Sequence, residues 1–438
     1  MKTAVLSGWG RFPVVPGVEI RSENLEQLTR NLPLARGLGR AYGDAALPAP
    51  GDLKIAGTSL ADRILAFDQE TGLLTAEAGL SLDHICRVFL PRGFFTPVTP
   101  GTRFVTVGGM VAADVHGKNH HRDGCFGEHI VSLKVRVGDG RIVACSATEN
   151  HDLFGATIGG MGLTGPILEA TFRLAKVPSP WIYEERRRIA GVDEFVDALK
   201  AAAPSWPMTV GWIDGLTRGP AMGRGVLFCG RWAEAAEAPA YKPPPQGQVS
   251  VPADFPDVAL SSFAVRVFNA LTYQRYSAGR NAGIVHPYTY FYPLDRIGHW
   301  TRLYGRRGFT QYQCVLPHAA GREAVHECFD LLTRNGGAFL GVIKDCGPEG
   351  TGMLSFPMPG ISLALDIPMR DTTQSLIDAM NELVIKAGGR IYLAKDALTR
   401  AEHFRVMEPR LDAFLAVRQR YDPDRRIRSA QSVRLFGW

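Results

Sequence analysis

The chain has 438 residues, 45% of them hydrophobic and 21% charged: the profile of a globular protein, and too long for one ordinary core, so two domains are expected. The net charge of +6 is modest; it suits an anionic small molecule or membrane surface and argues against nucleic acid as a partner. Seven scattered cysteines with no C-x-x-C pair argue against a disulfide framework or zinc ribbon.

The opening "MKTAVLSGWGRFP" does not have the form of a secretory signal, and no run of about 18 apolar residues exists to span a bilayer. A cytoplasmic protein is expected, with peripheral contact at the inner membrane left open. Residues 26–176 alternate short apolar runs with glycine-rich turns. "RILAFD" (63–68), "LLTAEAG" (73–79), "VSLKVRVGDGRIVAC" (131–145, with a hairpin at "GDG") and "ILEATFRL" (167–174) read as strands. "LDHICRVFLPRG" (82–93) reads as a helix ended by Pro91 and Gly93. "KVPSPW" (176–181) reads as a linker, and 238–256 as a proline-rich loop or partly disordered insert. Strands return in "FTQYQCVLP", "FLGVIKDCG" and "GISLALDIP", followed by a helix over 372–389 and a mostly helical tail from 390. The fold class is α+β.

Three stretches carry chemistry. "ARGLGRAYGDAA" (35–46) is a loop whose free amides, with Arg36 and Arg40, can form an anion nest; a purely structural turn is the alternative. It is neither a Walker loop nor a G-x-G-x-x-G turn after a strand. "VTVGGMVAAD" (105–114) places Gly108, Gly109, Ala112 and Ala113 where a backbone can press against a planar or phosphate-bearing ligand, and "IGGMGLTGPI" (158–167) adds a third glycine cluster. Three such loops within 140 residues suit an extended dinucleotide. In "DVHGKNHH" (114–121), His116 and His120 have the i, i+4 spacing of a helical zinc pair, but Gly117 stands where a metalloprotease has its glutamate. No metal is expected.

Together "ARGLGRAYGD", "PGTRFVTVGGMVAADVHGKNHH" and "GGMGLTGPI" resemble the flavin domain of the vanillyl-alcohol-oxidase (PCMH-type) superfamily. With "FYPLDRIGHW", "LSFPMPG" and "YLAKDALT", the chain is most similar to the decaprenylphosphoryl-β-D-ribose oxidase family. The resemblance implies a two-domain PCMH-type FAD-binding fold: a flavin domain of residues 1–176 with a C-terminal return over 391–438, and a separate antiparallel-sheet substrate domain over 177–390.

It also implies FAD, held noncovalently because the first glycine loop has no histidine. The implied cofactor contacts are Ala35, Arg36, Gly37, Leu38, Gly39, Arg40, Ala41, Tyr42, Gly43, Asp44 and Ala45, then Gly101, Thr106, Val107, Gly108, Gly109, Ala113, Asp114, Val115, His116 and Gly117, with Ile167 and Tyr392. The implied catalytic residues are Lys395 and His116, and the implied substrate contacts are Gln311, Gln313, Tyr292, Lys344, Lys118, Asp366 and Tyr42. An ordinary salt bridge from Lys395 to Asp396 is the bland alternative. Where the family has Asn-Ile-Cys, this chain has Ser362-Leu363-Ala364, so sugar or lipid preference can differ.

The implied activity is oxidation of a sugar secondary alcohol, foremost the 2′-hydroxyl of a polyprenyl-phosphate ribose. A separate NAD(P)-dependent short-chain reductase would complete an epimerisation. Oxidation of a soluble sugar, alditol or aldono-1,4-lactone is the alternative.

Overall fold

The computed structural model describes residues 4–256, 261–276 and 281–438. In the first part of the chain, strands β1 (Ile64–Asp68), β2 (Leu73–Glu77), β3 (Ile130–Arg136), β4 (Ile142–Ser146) and β5 (Ile167–Arg173) form an antiparallel sheet in the order β4-β3-β5-β2-β1. Helix α1 (Leu82–Phe89) buries Leu82, Ile85, Cys86 and Phe89, spaced i, i+3, i+4, i+7, into this core. Ser81 caps its start, and Gly93, at φ 79°, turns the chain away after a short 3₁₀ turn. A small parallel sheet of Val18–Arg21, Lys54–Gly57 and Ala35–Arg36 launches the first glycine loop.

The glycine-rich 105–114 segment contains a helix, α2 (Val107–Ala112), capped by Thr106. The tertiary setting overrides the poor helix propensity of Gly108 and Gly109, because Val107, Met110 and Val111 are buried in the core. The 176–181 linker is also more ordered than its proline content suggests. Ala175–Lys176 pairs with Phe94–Phe95, and Trp181 is buried.

The second part is an eight-stranded antiparallel sheet built from β6 (Ile182–Ile189), β7 (Met208–Ile213), β8 (Gly225–Trp232), β9 (Asn281–Val285), β10 (Phe309–Pro317), β11 (Leu340–Cys346), β12 (Gly360–Pro368) and β13 (Arg390–Ile391). Their spatial order is β9-β6-β8-β7-β11-β12-β10-β13. Helices α3 (Val192–Ala202), α5 (Gly321–Arg334) and α6 (Thr373–Lys386) pack on one face against Leu363, Leu365 and Ile343. Tyr312, on that face, donates to Asn381 of α6 at 2.9 Å. Because strand side chains alternate, Gln311 and Gln313 of β10 point the other way, together with Lys344, Ser362, Ala364 and Asp366. A further helix, α4 (Ser262–Arg275), lies in the segment before β9. Residues 238–256 hold one short regular pairing, Val249–Ser250 with Ile297–Gly298.

The tail is not helical from its start. Arg390–Ile391 extends the large sheet beside β10, and Leu393–Lys395 forms a 3₁₀ turn; helices follow at Ala401–Met407, α7 (Leu411–Tyr421) and α8 (Ala430–Phe436). Strand pairing wins at 390–392 because their amides reach open sheet positions: Tyr392 N donates to Gln313 O at 2.9 Å. Arg434 of α8 then clamps two distant segments, bonding Asp44 at 2.7 and 2.9 Å and Asp396 at 2.8 Å. Among the described residues no helix is long and apolar enough to cross a membrane.

Candidate active site

The 35–45 loop is held from outside and open inside. Among the described residues the amides of Gly37, Leu38, Gly39, Arg40 and Ala41 have no backbone acceptor, whereas Tyr42 N donates to Ala394 O at 2.9 Å. Asp44 is buried and occupied by Arg434, and Ala45 is core. Arg36 does not serve as a free anion donor as expected: its guanidinium bonds Ser7 O and Ala46 O and sits 3.7 Å from Glu19. Its role is to lock the loop. Arg40 is different, stacked 3.6 Å from the Trp9 ring centroid with a buried Nε that has no partner.

The glycines divide in the same way. A Cβ on Gly37 would fall 2.3 Å from Thr106 Oγ1, on Gly43 1.7 Å from Asp396 O, on Gly108 2.9 Å from Ala78 Cβ, and on Gly117 2.5 Å from Asn119 Oδ1. These four are small because protein presses on them, and Gly39 is needed for its φ of +64°. Gly109 meets only Thr106 Oγ1, at 3.2 Å, and Gly101 meets nothing within 4 Å. Those two face open space.

Between the loop and the large sheet runs 113–117. Asp114 is buried, accepts Gly127 N at 2.8 Å and a hydrogen bond from Ser355, and burial pushes its carboxyl up to about 7. Val115 and Ile167 are buried in the first core. Tyr392 donates to Ala113 O at 2.8 Å and packs its ring 5.1 Å from that of His116. His116 Nε2 accepts from Gln313 Nε2 at 3.0 Å, which leaves the proton on Nδ1, a buried atom without a partner. Burial first, then the Lys344 charge, holds this imidazole neutral by lowering its pKa well below the usual range.

His116 and His120 do not share a helix, since the helical turn is His120–Asp123. His120 Nδ1 accepts from Gly347 N at 3.0 Å, and its buried Nε2 is also unpartnered. His121 Nε2 is 2.9 Å from Trp206 O. Among the described residues no three His, Cys, Asp or Glu side chains form a group that could hold a metal.

The sheet face opposite the helices brings together residues far apart in the chain. Gln311 donates to Asp366 at 2.5 Å, and Tyr304 donates to the same carboxylate at 2.8 Å. Lys395 Nζ lies 3.8 Å from the centroid of the Tyr42 ring. Asp396 is engaged by Arg434, so the salt bridge to Lys395 is not made. Gln313 also donates to Ser362 at 3.1 Å. Lys118 donates to Tyr290 O. Tyr292 stands apart from this cluster: it is fully buried with its hydroxyl 2.5 Å from Thr99 Oγ1 and 3.8 Å from Cys86 Sγ, so it offers no free polar group.

The electrostatics are unusual. Burial brings the Lys395 and Lys118 ammonium groups down to about 7, with the Lys344 charge adding to both shifts, and burial lowers Lys344 itself. Asp366 is pushed up to about 6 by burial, against its hydrogen bonds to Gln311 and Tyr304 and the charge of Lys395. Three lysines thus lie in low-dielectric surroundings with two opposing carboxylates, Asp366 acting on Lys395 and Glu184 on Lys118. Tyr304 and Ser355 escaped sequence reasoning. Their partners, Asp366 and Asp114, lie 62 and 241 residues away, and no local pattern marks such pairs.

An open cradle lined by free loop amides, Gly101 and Gly109, with orphaned ring nitrogens at His116 and His120 and an orphaned guanidinium nitrogen at Arg40, fits a large flat group bearing phosphates. Residues 29–146 match the family model described as an FAD binding domain, and the protein is an FAD-dependent oxidoreductase of the PCMH-type flavoprotein class. The chain is 35% identical over 456 aligned residues to the decaprenylphosphoryl-beta-D-ribose oxidase of Mycolicibacterium smegmatis, an alignment covering 99% of this chain and 97% of that protein. It belongs to the decaprenylphosphoryl-β-D-ribose oxidase family. It is also 32% identical over 359 residues to an uncharacterized Streptomyces coelicolor protein, covering 78% of this chain and 96% of the relative. The match to the D-arabinono-1,4-lactone oxidase of Yarrowia lipolytica is thinner: 27% over 176 residues, 37% of this chain and 33% of that enzyme.

Proposed function

We propose that this protein oxidises the 2′-hydroxyl of a polyprenyl-phosphate ribose to a keto-sugar, the first half of an epimerisation that a separate NAD(P)-dependent short-chain reductase completes. The observation that carries this reading is the trio Lys118, Lys344 and Lys395, partly buried side chains whose ammonium groups are each disfavoured by desolvation. A phosphodiester supplies the missing negative charge; a neutral sugar, alditol or lactone does not.

FAD, when bound, supplies the two-electron acceptor for the hydrogen on the carbinol carbon. The cradle residues of 35–45 and 101–117 hold it, with Tyr392 and His116 bridging to the substrate side. Lys395, titrating near neutrality, takes the hydroxyl proton in its neutral form, and the ammonium produced is stabilised by the Asp366 carboxylate. Gln311 and Tyr304 fix that carboxylate, while Gln313 is fixed by His116 and Ser362 and presents its amide carbonyl to the sugar. Residues 177–390 are proposed as the substrate domain, and 1–176 with 391–438 as the flavin domain.

Anaerobic bleaching of the flavin tests the substrate. A polyprenyl-phosphoribose is expected to bleach the holoenzyme at concentrations where free ribose, alditols and aldonolactones leave it yellow. Bleaching by a lactone alone would transfer the assignment to the soluble-sugar oxidases. The 35–46 loop lacks a histidine, so the cofactor is expected to come away noncovalently. Acid precipitation should leave all flavin absorbance in the supernatant; yellow colour retained in the pellet would show a covalent link.

A further inference from the structure

We propose that the outward face of α4 is a docking surface for an anionic lipid bilayer, an inference that rests on the lipid-linked substrate proposed above. The helix is inverted relative to an ordinary surface helix. Its inward residues are Val265, Asn269 and Tyr273: Asn269 donates to Asp214 at 2.8 Å, and the Tyr273 ring lies under Arg188 and Arg224, at 4.2 and 5.0 Å. Its outward residues Phe263, Val267 and Leu271, spaced i, i+4, i+8, are 76%, 44% and 68% exposed, with Phe268 beside them at 53%. Water is a poor environment for such a stripe, and among the described residues nothing covers it.

Charge identifies the occupant. Between Asp257 and Asp295 the sequence contains no acidic residue and three arginines, Arg266, Arg275 and Arg280. Arg266 and Arg275 are exposed on the helix itself. An apolar stripe flanked by arginines matches the interface of a bilayer with anionic headgroups. A second copy of the chain fits poorly, because a twofold contact would set these arginines against their own counterparts.

The surface is also connected to the candidate site. Phe268 stacks on Phe339 with centroids 6.0 Å apart, and Phe339 meets Tyr304 at 5.2 Å. Tyr304 stacks on Phe309 at 3.9 Å, and Phe309 contacts Tyr42, over which Lys395 sits. A continuous series of aromatic contacts therefore links the outer face of α4 to the proposed base, so the docking face and the candidate site adjoin one packed cluster.

The test is flotation of the full-length holoenzyme with vesicles of equimolar phosphatidylglycerol and phosphatidylcholine, with pure phosphatidylcholine vesicles alongside. The protein is expected to float with the anionic vesicles and to be released by salt. The double variant Phe263→Asp/Leu271→Asp should bind them at least about tenfold more weakly, from the loss of two inserted apolar side chains. It should keep its FAD and its bleaching by detergent-dispersed substrate, since neither residue touches the site. Equal flotation of parent and variant overturns the proposal, as does failure of the parent to float. Concentration-dependent self-association that the double variant abolishes, without flotation, would assign the face to a second copy and overturn it too. Flotation without bleaching by any polyprenyl-phosphoribose supports the docking surface and removes the substrate reading instead.

Discussion

Lys395→Ala is expected to fold, to bind FAD, and to show substrate-driven flavin reduction slowed by about 100- to 1,000-fold or more, the usual cost of losing a positioned proton acceptor or charge-stabilising donor. The side chain is not a scaffold element. Its Nζ touches the Tyr42 ring, while the neighbouring Asp396 holds the local fold through Arg434 and the amides of Leu398 and Thr399. Burial opposes its charged form, so its removal is not expected to lower Tm. The sign of the pH dependence follows from the titration near 7. Below that pH the amine is protonated and cannot accept the carbinol proton, so bleaching should slow about tenfold per pH unit on the acid side and level off above about pH 8. Stopped-flow bleaching checks both statements. Near-parental rates in the variant would move the proton acceptor to Lys344 or His116, and a flat profile in the parent would restrict Lys395 to electrostatic stabilisation.

Gly109→Val is expected to give a folded but largely flavin-free protein. A Cβ there meets only Thr106 Oγ1 at 3.2 Å, and the backbone is helical, so the apoprotein can absorb the change. A branched side chain directed into the cofactor cradle cannot be absorbed when a rigid ring system lies against it. Overpacking of about 1–3 kcal/mol corresponds to roughly 5- to 150-fold weaker FAD binding. Gly108→Val is the contrasting variant: its Cβ runs into Ala78 at 2.9 Å, so it should lower Tm of the apoprotein itself. Flavin content by absorbance and Tm by circular dichroism separate the two outcomes. A Gly109→Val protein with a full complement of FAD would place the cofactor elsewhere.

Local chemistry is legible in this sequence. Strands β1–β5 and helix α1 are short-range patterns, alternation and i, i+3, i+4 spacing bounded by glycine, and they form where those patterns stand. The loop at 35–46 and the histidine segment at 114–121 are likewise contiguous, so their ligand-binding character can be read without the fold. What residue spacing does not disclose is which side chains spend their polar groups on the protein itself. Arg36 and Asp44, both attractive as cofactor contacts, are consumed by Glu19, backbone carbonyls and Arg434. The helix at 107–112 runs against local propensity, because burial of Val107, Met110 and Val111 outweighs the roughly 1 kcal/mol that each glycine costs, and 390–391 is a strand because it meets an open sheet edge.

The proposed catalytic grouping belongs to tertiary structure. Gln311 and Gln313 share a face by strand alternation alone, but Asp366 comes opposite Gln311 only through the β10–β12 register. Tyr304 and Lys395 reach the cluster only because the chain returns to it from outside those strands. The low pKa of the three lysines has the same origin: isolated in sequence, each would be an ordinary ammonium. Only the packed fold partly desolvates them and places the charge of Lys344 within reach of the other two, the arrangement on which the proposed anionic substrate rests.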